Sequence, residues 1–222
     1  ALPAPGVEIL GQSGAELKLR VWDNEEHALS TADARQIAIE PANRPQPQEV
    51  AGAWEVRFSP EWGGPESITF DRLVPWNEHA DEGIKYYSGT ATYSKTLNLT
   101  KQQVDGLVRL QLGRVGHVAE VRLNGKPLGI VWCEPWSVDL TGAAGEGENR
   151  LEIDVTNLWM NRLIGDSALP PEKRRTNTNV RFFSADAKYR AFEGFSPKDA
   201  LAPSGLIGPV RLEFGKEVDV AF

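Results

Sequence analysis

The sequence predicts an all-β fold, an antiparallel β-sandwich, on two observations. Short segments in which apolar and polar residues alternate are bounded by Gly, Pro or Asn, and roughly eight of them precede Trp159. No apolar pattern with helical spacing separates one segment from the next. Strands that follow one another closely, without helices between them, favour an antiparallel sandwich over an α/β fold.

The clearest single element is a hairpin centred on Asn124-Gly125. Asn-Gly suits the two positions of a type I′ turn that need positive φ, and this turn joins twisted antiparallel strands. A Gly-rich connection then leads to another strand, in which Leu151, Ile153 and Val155 alternate with acidic residues. The apolar residues that alternate around the Asn-Gly pair are Val121, Leu123, Leu128, Ile130 and Trp132.

Residues 1–49 contain two short strand patterns and end in a linker. The first pattern includes Leu19 and Val21, and the second covers residues 36–40. The closing stretch PANRPQPQ has three prolines in seven residues, which disfavours a strand or helix interior. These strands have too few apolar residues for a core of their own. We therefore predict that residues 1–49 lead from or toward an upstream domain, and that residues 50–222 form the sandwich.

The rest of the chain supplies further strands and one long irregular segment. Residues 161–204 show no periodicity, and a stretch of this length without regular structure usually is a functional loop or a mobile segment. We therefore predict such a loop between the last two strands. The remaining predicted strands cover residues 54–58, 68–70, 91–99, 108–112, 115–123 and 210–214.

Composition excludes several classes of function. The net charge of −7 and the pI near 5.1 disfavour a nucleic-acid groove, because binding phosphates requires a basic face. No stretch approaches the roughly 20 apolar residues that span a membrane. Cys133 is the only cysteine, which excludes a disulfide scaffold. We therefore expect neither nucleic acid nor a membrane as a partner.

Several motifs, taken in order, resemble a known family. GTATYSKTLNL, VRLNGKPLGIVW, PWSVDLTG, GENRLEIDVTNLW and PSGLIGPVRL are similar to the sugar-binding jelly-roll domain of glycoside hydrolase family 2, within the galactose-binding-like group. WEVRFSPEWGGP, GIKYYSGTATY, NLWMNRLIGD and LPPEKRR resemble more closely the C-terminal region of large bacterial α-L-rhamnosidases of family 106. The likeness spans about residues 50 to 214.

This resemblance implies a jelly-roll β-sandwich, galactose-binding-domain-like, attached to a catalytic barrel elsewhere in a longer enzyme. In such enzymes the catalytic carboxylates and an associated calcium ion lie on the barrel. The expected partners are therefore the catalytic domain of the same parent chain and a carbohydrate. The likeness also implies a periplasmic or extracellular location in a bacterium.

Candidate sugar-binding residues cluster after the strand that contains Val155. Sugar binding needs an aromatic platform and polar groups that make paired hydrogen bonds to hydroxyls. The alternative for this cluster is a structural corner that bonds the long loop, and any single Trp here can equally be a core residue. The cluster consists of Asn157, Trp159, Asn161 and Arg162, and further candidates are Trp76, Tyr86 and Tyr87.

A structural calcium ion is the one cofactor that the sequence leaves open. Jelly rolls can hold calcium through carboxylates and backbone carbonyls. A different role is expected for the segment 139–142, DLTG, because Asp and Thr bond nearby backbone NH groups and turn the chain at the end of a strand. The possible calcium ligands are Asp81, Glu82, Asp139 and Asp166.

No catalytic residue is predicted within this chain. Glycoside hydrolysis needs two carboxylates about 5 to 9.5 Å apart, and with 31 Asp and Glu residues some pair will satisfy that distance. Glu134, between Trp132 and Trp136, is the one carboxylate in an aromatic setting, and we interpret it as a surface or turn residue.

Three hypotheses about function follow. The first is a non-catalytic, carbohydrate-binding-like accessory domain of a large glycoside hydrolase that acts on rhamnose-containing plant polysaccharides or glycosides. The second is a purely structural bracing domain without sugar affinity, and the third is a self-contained glycosidase.

Overall fold

Two six-stranded sheets with antiparallel pairing form the protein, which confirms the predicted all-β sandwich. The computed structural model describes residues 6–176 and 194–221. The strands are β1 Val7–Ser13, β2 Glu16–Val21, β3 His27–Ser30, β4 Gln36–Ile39, β5 Gln48–Glu49, β6 Trp54–Arg57, β7 Ile68–Phe70, β8 Thr90–Leu99, β9 Leu107–Gln111, β10 Arg114–Gly116, β11 Val118–Leu123, β12 Lys126–Val131, β13 Ser137–Asp139, β14 Gly147–Thr156, β15 Gly205–Gly208 and β16 Arg211–Ala221.

Helical segments are short in the described ranges. One of them, α3, lies inside the segment that the sequence predicted to be irregular. The α-helices are α1 Glu82–Lys85, α2 Lys101–Val104 and α3 Met160–Ser167, and the 3-10 turns are Pro60–Trp62, Trp76–Glu78 and Pro171–Lys173.

The two sheets differ in which strands they contain and in the order of those strands. The first, which we call sheet I, has the strand order β12-β11-β14-β8-β6-β7. The second, sheet II, has the order β1-β2-β16-β9-β13, with β5 paired to β16 as well. Two small ribbons, β3-β4 and β10-β15, complete the strands that the structure describes.

The core lies between the two sheets, because the inner strands of both sheets bury the apolar residues of one face. On β14 the buried Leu151, Ile153 and Val155 alternate with the polar residues of the outer face. From sheet II, Leu110 and Phe214 are buried in the same cluster. Each of these side chains contributes roughly 1.5–3 kcal/mol when it leaves water.

The hairpin predicted at Asn124-Gly125 is confirmed. Leu123 pairs with Lys126 across a two-residue loop, and the φ angles of Asn124 and Gly125 are 54° and 77°. Positive φ at both positions is what a type I′ turn requires. The predicted turn after β13 is also confirmed, since the Thr141 backbone NH donates to Asp139 Oδ1 at 2.8 Å.

The N-terminal strands extend sheet II through its longest strand. The first part of β16, from Arg211 to Gly215, pairs with β9, and the part from Lys216 onward pairs with β2. A second, smaller apolar cluster forms there around Leu19, Val21, Ile39 and Ala42. The domain boundary at residues 49 and 50 stays a prediction.

The prediction of an irregular segment from residue 161 to residue 204 is wrong over α3. The buried face of this helix is largely polar, and includes Asn161, Arg162 and Asp166. The apolar spacing that indicates a helix is therefore weak in the sequence, although the helix is packed inside the protein. Residues 177–193 of the predicted loop lie outside the described residues.

Tyr93 links sheet I to the segment that carries β15. Its hydroxyl oxygen accepts hydrogen bonds from Trp76 Nε1 at 2.6 Å and from the Leu206 backbone NH at 3.1 Å. Burial raises the pKa of the Tyr93 phenol far above its ordinary value, so the hydroxyl stays neutral at physiological pH.

We expect Tyr93→Phe to lower the free energy of unfolding by at least about 2 kcal/mol, because it leaves two buried donors without an acceptor. Tyr86→Phe is the matched control, since no described hydrogen bond involves the Tyr86 hydroxyl, and we expect it to change stability by no more than ~0.5 kcal/mol. Urea denaturation measures both values. Equal effects of the two substitutions would contradict this account of the Tyr93 bonds.

Candidate functional site

A cleft of about 400 Å³ opens at one end of the sandwich, where three strands of sheet I begin or end. Thr156, the last residue of β14, pairs with Thr90, the first residue of β8. β6 ends at Arg57, which pairs with Thr92. The connections that leave these strands therefore converge. The cleft is lined by Ser59, Trp62, Tyr87, Ser88, Gly89, Thr90, Thr156, Asn157 and Trp159.

Two tryptophans form a right-angled wall of the cleft, which we call the aromatic corner. The ring centroids of Trp62 and Trp159 are 5.4 Å apart, and the ring planes meet at 89°. Trp159 is 56% exposed, and Trp62 is partly buried. Aromatic rings in this edge-to-face arrangement attract each other, so each indole holds the other in place.

The local sequence explains the position of Trp62. Pro60 occupies the first position of a 3-10 turn, where its fixed φ and missing NH cost nothing. Gly63 ends the turn with a φ of 90°, and its NH donates to the Pro60 carbonyl. The segment SPEWGG thus folds back over the end of β6 and presents Trp62 to the cleft.

Hydroxyl groups line the cleft beside the aromatic corner. The Tyr87 hydroxyl accepts from the Ser59 backbone NH at 3.1 Å and donates to the Thr90 carbonyl at 2.9 Å. Ser88 Oγ donates to the Leu158 carbonyl at 3.0 Å. Tyr87 and Ser88 are buried, so these hydroxyls hold the floor of the cleft in place. The exposed hydroxyls of the lining are those of Thr90 and Thr156, whose Oγ1 atoms are 2.7 Å apart and retain capacity for a ligand.

The cleft is electrically neutral over its described lining. None of the described residues that line it is a carboxylate or a cation, and Tyr87 is its one titratable group. Burial raises the pKa of Tyr87, against the opposing effect of the hydrogen bond from Ser59. The phenol is therefore uncharged at physiological pH, and its hydroxyl keeps its proton.

Asn157 lies in the cleft, but its side chain bonds the protein itself. Its amide Nδ2 donates to the Tyr87 carbonyl at 2.8 Å, and its Oδ1 accepts from the Gly89 backbone NH at 3.0 Å. Asn157 is buried. The residue therefore fixes the connection before β8 against the end of β14, as the structural-corner hypothesis expects.

Asn161 and Arg162 lie on the buried side of α3 and do not line the cleft. Asn161 exchanges two hydrogen bonds with the Ala202 backbone, both 2.8 Å long. Arg162 Nη2 lies 2.8 Å from Asp166 Oδ1. Asp166 Oδ2 in turn accepts from the backbone NH groups of Arg175 and Thr176. These bonds tie the segments on both sides of residues 177–193 to α3.

Trp76 and Tyr86 do not contribute to the cleft lining. Trp76 is 0% exposed and donates its Nε1 hydrogen to Tyr93, so it is a core residue rather than a sugar platform. Tyr86 packs its ring against Gly165 of α3, where an added Cβ would lie 2.6 Å from the ring. Of the seven predicted sugar-binding residues, Tyr87, Asn157 and Trp159 are brought together in the cleft.

Trp62 and Ser59 were not among the predicted site residues. Both lie in the SPEWGGP segment, which directly follows the predicted strand at residues 54–58. The Pro and Gly residues around Trp62 indicate a turn, but they do not show that its ring reaches the cleft while packing partly against the core.

The predicted calcium ligands do not fit a common site. Asp81 caps α1 by accepting from the Gly83 NH at 2.7 Å, and Asp139 accepts from Arg20 as well as from Thr141. Asp166 is bonded to Arg162 and to backbone NH groups. Among the described residues, no group of three or more His, Cys, Asp or Glu side chains is placed to hold a metal ion.

The described part of the chain contains no helix whose length and apolar character would allow it to cross a membrane.

Comparison with known proteins finds glycoside hydrolases. The chain is 39% identical over 181 residues to a protein of Formosa agariphila that is named as a β-glucuronidase, and the match covers 76% of this chain and 16% of that protein. The structure of a rhamnosidase from Novosphingobium sp. PP1Y matches with a TM-score of 0.65 and 26% identity, over 97% of this chain and 25% of that one. No protein-family profile matches the chain.

A second structural match supports the fold alone. A β-glucuronidase from an uncultured Clostridium species gives a TM-score of 0.53 at 23% identity, over 77% of this chain and 29% of that one. The chain thus spans about a sixth of the length of its sequence relative and about a quarter of the rhamnosidase. It corresponds to a part of each of these larger proteins.

The geometry predicts that Asn157 stabilises the protein and that Trp159 contributes little to its stability. Asn157→Ala leaves the buried Tyr87 carbonyl and the partly buried Gly89 NH without their partner, so we expect the free energy of unfolding to fall by about 2–4 kcal/mol. Trp159→Ala should cost less than about 1 kcal/mol, because the ring is half exposed.

Asn98→Ala is the matched control for the asparagine substitution, since Asn98 is exposed on β8. Thermal and urea denaturation of the three variants measure the differences. A larger loss for Trp159→Ala than for Asn157→Ala would show that Trp159 is a structural residue.

Proposed function

We propose that this chain is a non-catalytic carbohydrate-binding domain of a larger glycoside hydrolase, and that the aromatic corner is its sugar platform. The observation that carries the proposal is the exposure of Trp159 beside Trp62, above a cleft lined with hydroxyl groups. The fractional coverage of its glycoside hydrolase relatives supports the assignment to an accessory domain.

Two indoles at a right angle suit a pyranose ring. One indole can stack on the apolar CH face of the sugar, while the other contacts its edge or its exocyclic carbon. The side-chain hydroxyls of Ser59, Thr90 and Thr156, which line the cleft, can meet sugar hydroxyls.

The uncharged lining favours a neutral sugar. A uronate would bring a carboxylate, and carboxylates are recognised in proteins mainly by Arg or Lys. The described lining supplies neither of these residues. We therefore propose a rhamnose-containing plant polysaccharide or glycoside as the ligand, in keeping with the rhamnosidase relative, and we give the glucuronate of the other relatives second place.

The proposed partner in the parent protein is its catalytic domain. The resemblance of the sequence to secreted bacterial rhamnosidases supports a periplasmic or extracellular location. In this proposal the domain braces the catalytic domain and holds the substrate at its rim.

A purely structural role is the second candidate, and one set of observations favours it. The polar side chains of Asn157, Asn161 and Arg162 are bonded to their own chain and are not free to bind a sugar. In that case the same corner would only join the domain to its neighbours.

We expect saturable binding of L-rhamnose or of neutral rhamnose-containing oligosaccharides to the isolated chain. Trp159→Ala should weaken binding at least about tenfold, or ~1.4 kcal/mol, because the stacking face is lost. Trp132→Ala is the matched control for a single sugar, since Trp132 is another exposed tryptophan that does not line the cleft.

Isothermal titration measures the affinities. Heats that stay flat into the millimolar range for rhamnose, galactose and neutral oligosaccharides would favour the structural role over sugar binding.

A self-contained glycosidase is the third hypothesis, and it has its own test. Two carboxylates are needed at the bond that is cleaved, and the described cleft lining contains none. We expect the purified chain to leave an aryl α-L-rhamnoside intact in a spectrophotometric assay. Measurable turnover that tracks the purified chain would overturn the non-catalytic assignment.

A further inference from the structure

Four of the six large exposed apolar side chains of the described residues lie in or directly after β12 and β14 of sheet I, and the other two, Ile9 and Leu10, lie on β1 of sheet II. Trp132 is 72% exposed, and Ile130, Leu158 and Trp159 are also more than half exposed. Exposed aromatic residues that collect in one place mark a binding surface more often than scattered ones do.

The strand register places Trp132 at the same end of sheet I as the cleft. Ala119 of β11 pairs with Val131 on one side and with Val155 on the other. Trp132 follows Val131 directly, as Thr156 follows Val155. The chain therefore leaves β12 and β14 at the same level, so that Trp132 and Asn157 lie at the same edge of the sheet.

Trp62 lies at the same end of sheet I as Trp132 and Trp159. β6 pairs with β8 through Arg57 and Thr92, so the segment that contains Trp62 leaves β6 at this same end. Trp132, Trp159 and Trp62 thus follow the ends of β12, β14 and β6 in the order of the sheet. We call these three residues the tryptophan rim.

The length of the tryptophan rim exceeds one sugar ring. Neighbouring strands lie about 4.8 Å apart, so the ends of β12 and β14, which precede Trp132 and Trp159, are separated by roughly 10 Å. The ring centroids of Trp62 and Trp159 are 5.4 Å apart. A single sugar in the cleft would contact Trp62 and Trp159 and would leave Trp132 unused.

We propose that the tryptophan rim binds an extended neutral glycan, with the aromatic corner holding one sugar unit and Trp132 stacking on a unit farther along the chain. This inference rests on the proposed function and adds to it the length and charge of the ligand. Indoles beside a cleft lined with hydroxyl groups suit a glycan, in which apolar ring faces alternate with polar linkages.

Charges of both signs lie beside the rim. Glu61 precedes Trp62, Glu134 lies two residues after Trp132, and both residues are exposed. The Arg175 guanidinium donates to the Glu61 carbonyl and lies beside Gly63. The preference for a neutral glycan therefore follows from the uncharged lining of the cleft, together with the net charge of −7 of the chain.

The proposal predicts an affinity that rises with chain length and depends on Trp132 only for longer ligands. L-rhamnose and neutral rhamnose-containing oligosaccharides of two to four units are titrated into the whole chain, with oligogalacturonates of equal length as the acidic comparison. Trp132→Ala should leave the affinity for the monosaccharide unchanged and should weaken the longest ligand by about tenfold. Trp159→Ala should weaken ligands of every length.

Leu10→Ala is the control variant, because Leu10 is exposed on β1 of sheet II. Circular dichroism and the melting temperature establish that each variant is folded. The wild type and the three variants are also compared by analytical ultracentrifugation, since an exposed tryptophan can join two copies of the chain.

The titrations and the sedimentation measurements distinguish an extended glycan site from the alternatives. If Trp132→Ala binds every neutral ligand as the wild type does while Trp159→Ala does not, the extended site is overturned and the proposed function stands. Tighter binding of the oligogalacturonates than of neutral oligosaccharides would overturn the charge assignment. Loss of a dimer in Trp132→Ala, with sugar affinity unchanged, would assign Trp132 to a contact between copies. Failure of the wild type to bind any sugar overturns the proposed function itself.

Discussion

The candidate site depends on the side chain of Asn157, which bonds two backbone groups across the gap between β14 and β8. Without these bonds, the buried Tyr87 carbonyl and the partly buried Gly89 NH would lack their partner, at a cost of about 1–3 kcal/mol each. The bonds hold the end of β14 and the connection before β8 as one rigid edge. Trp159, two residues farther along, is positioned by this edge and by its contact with Trp62.

The polar residues on and near α3 therefore fix the backbone around the candidate site, and the aromatic residues form its exposed surface. Asn161 fixes the backbone at Ala202, and Asp166 fixes the backbone at Arg175 and Thr176. Asn161 and Asp166 are buried and face their own chain, whereas the exposed indole of Trp159 has a free face. Structural-corner bonds and an aromatic surface therefore occupy neighbouring residues, and the sugar contacts that we propose fall to Trp62 and Trp159.

The sequence predicted those elements whose signal is local. Asn124-Gly125 specifies its turn by backbone conformation alone, and the parity of Leu151, Ile153 and Val155 specifies which face is buried. The α3 helix was not predictable, because its buried face carries polar residues whose partners lie far along the chain. The exposure of a tryptophan is likewise a property of tertiary packing. Trp76 is enclosed through its bond to Tyr93, while Trp62 lies in a turn whose sequence does not show that the ring reaches the cleft.

The central claim is that Trp62 and Trp159 contact sugar while the buried tryptophans do not, and the indole NH signals of the chain test it most directly. In a two-dimensional ¹⁵N–¹H spectrum recorded during titration with a neutral rhamnose-containing oligosaccharide, the account predicts progressive shifts of the Trp62 and Trp159 indole signals and constant positions for Trp54 and Trp76. Shifts spread evenly over all four signals, or no shift at Trp62 and Trp159 when the ligand saturates the protein, would contradict it.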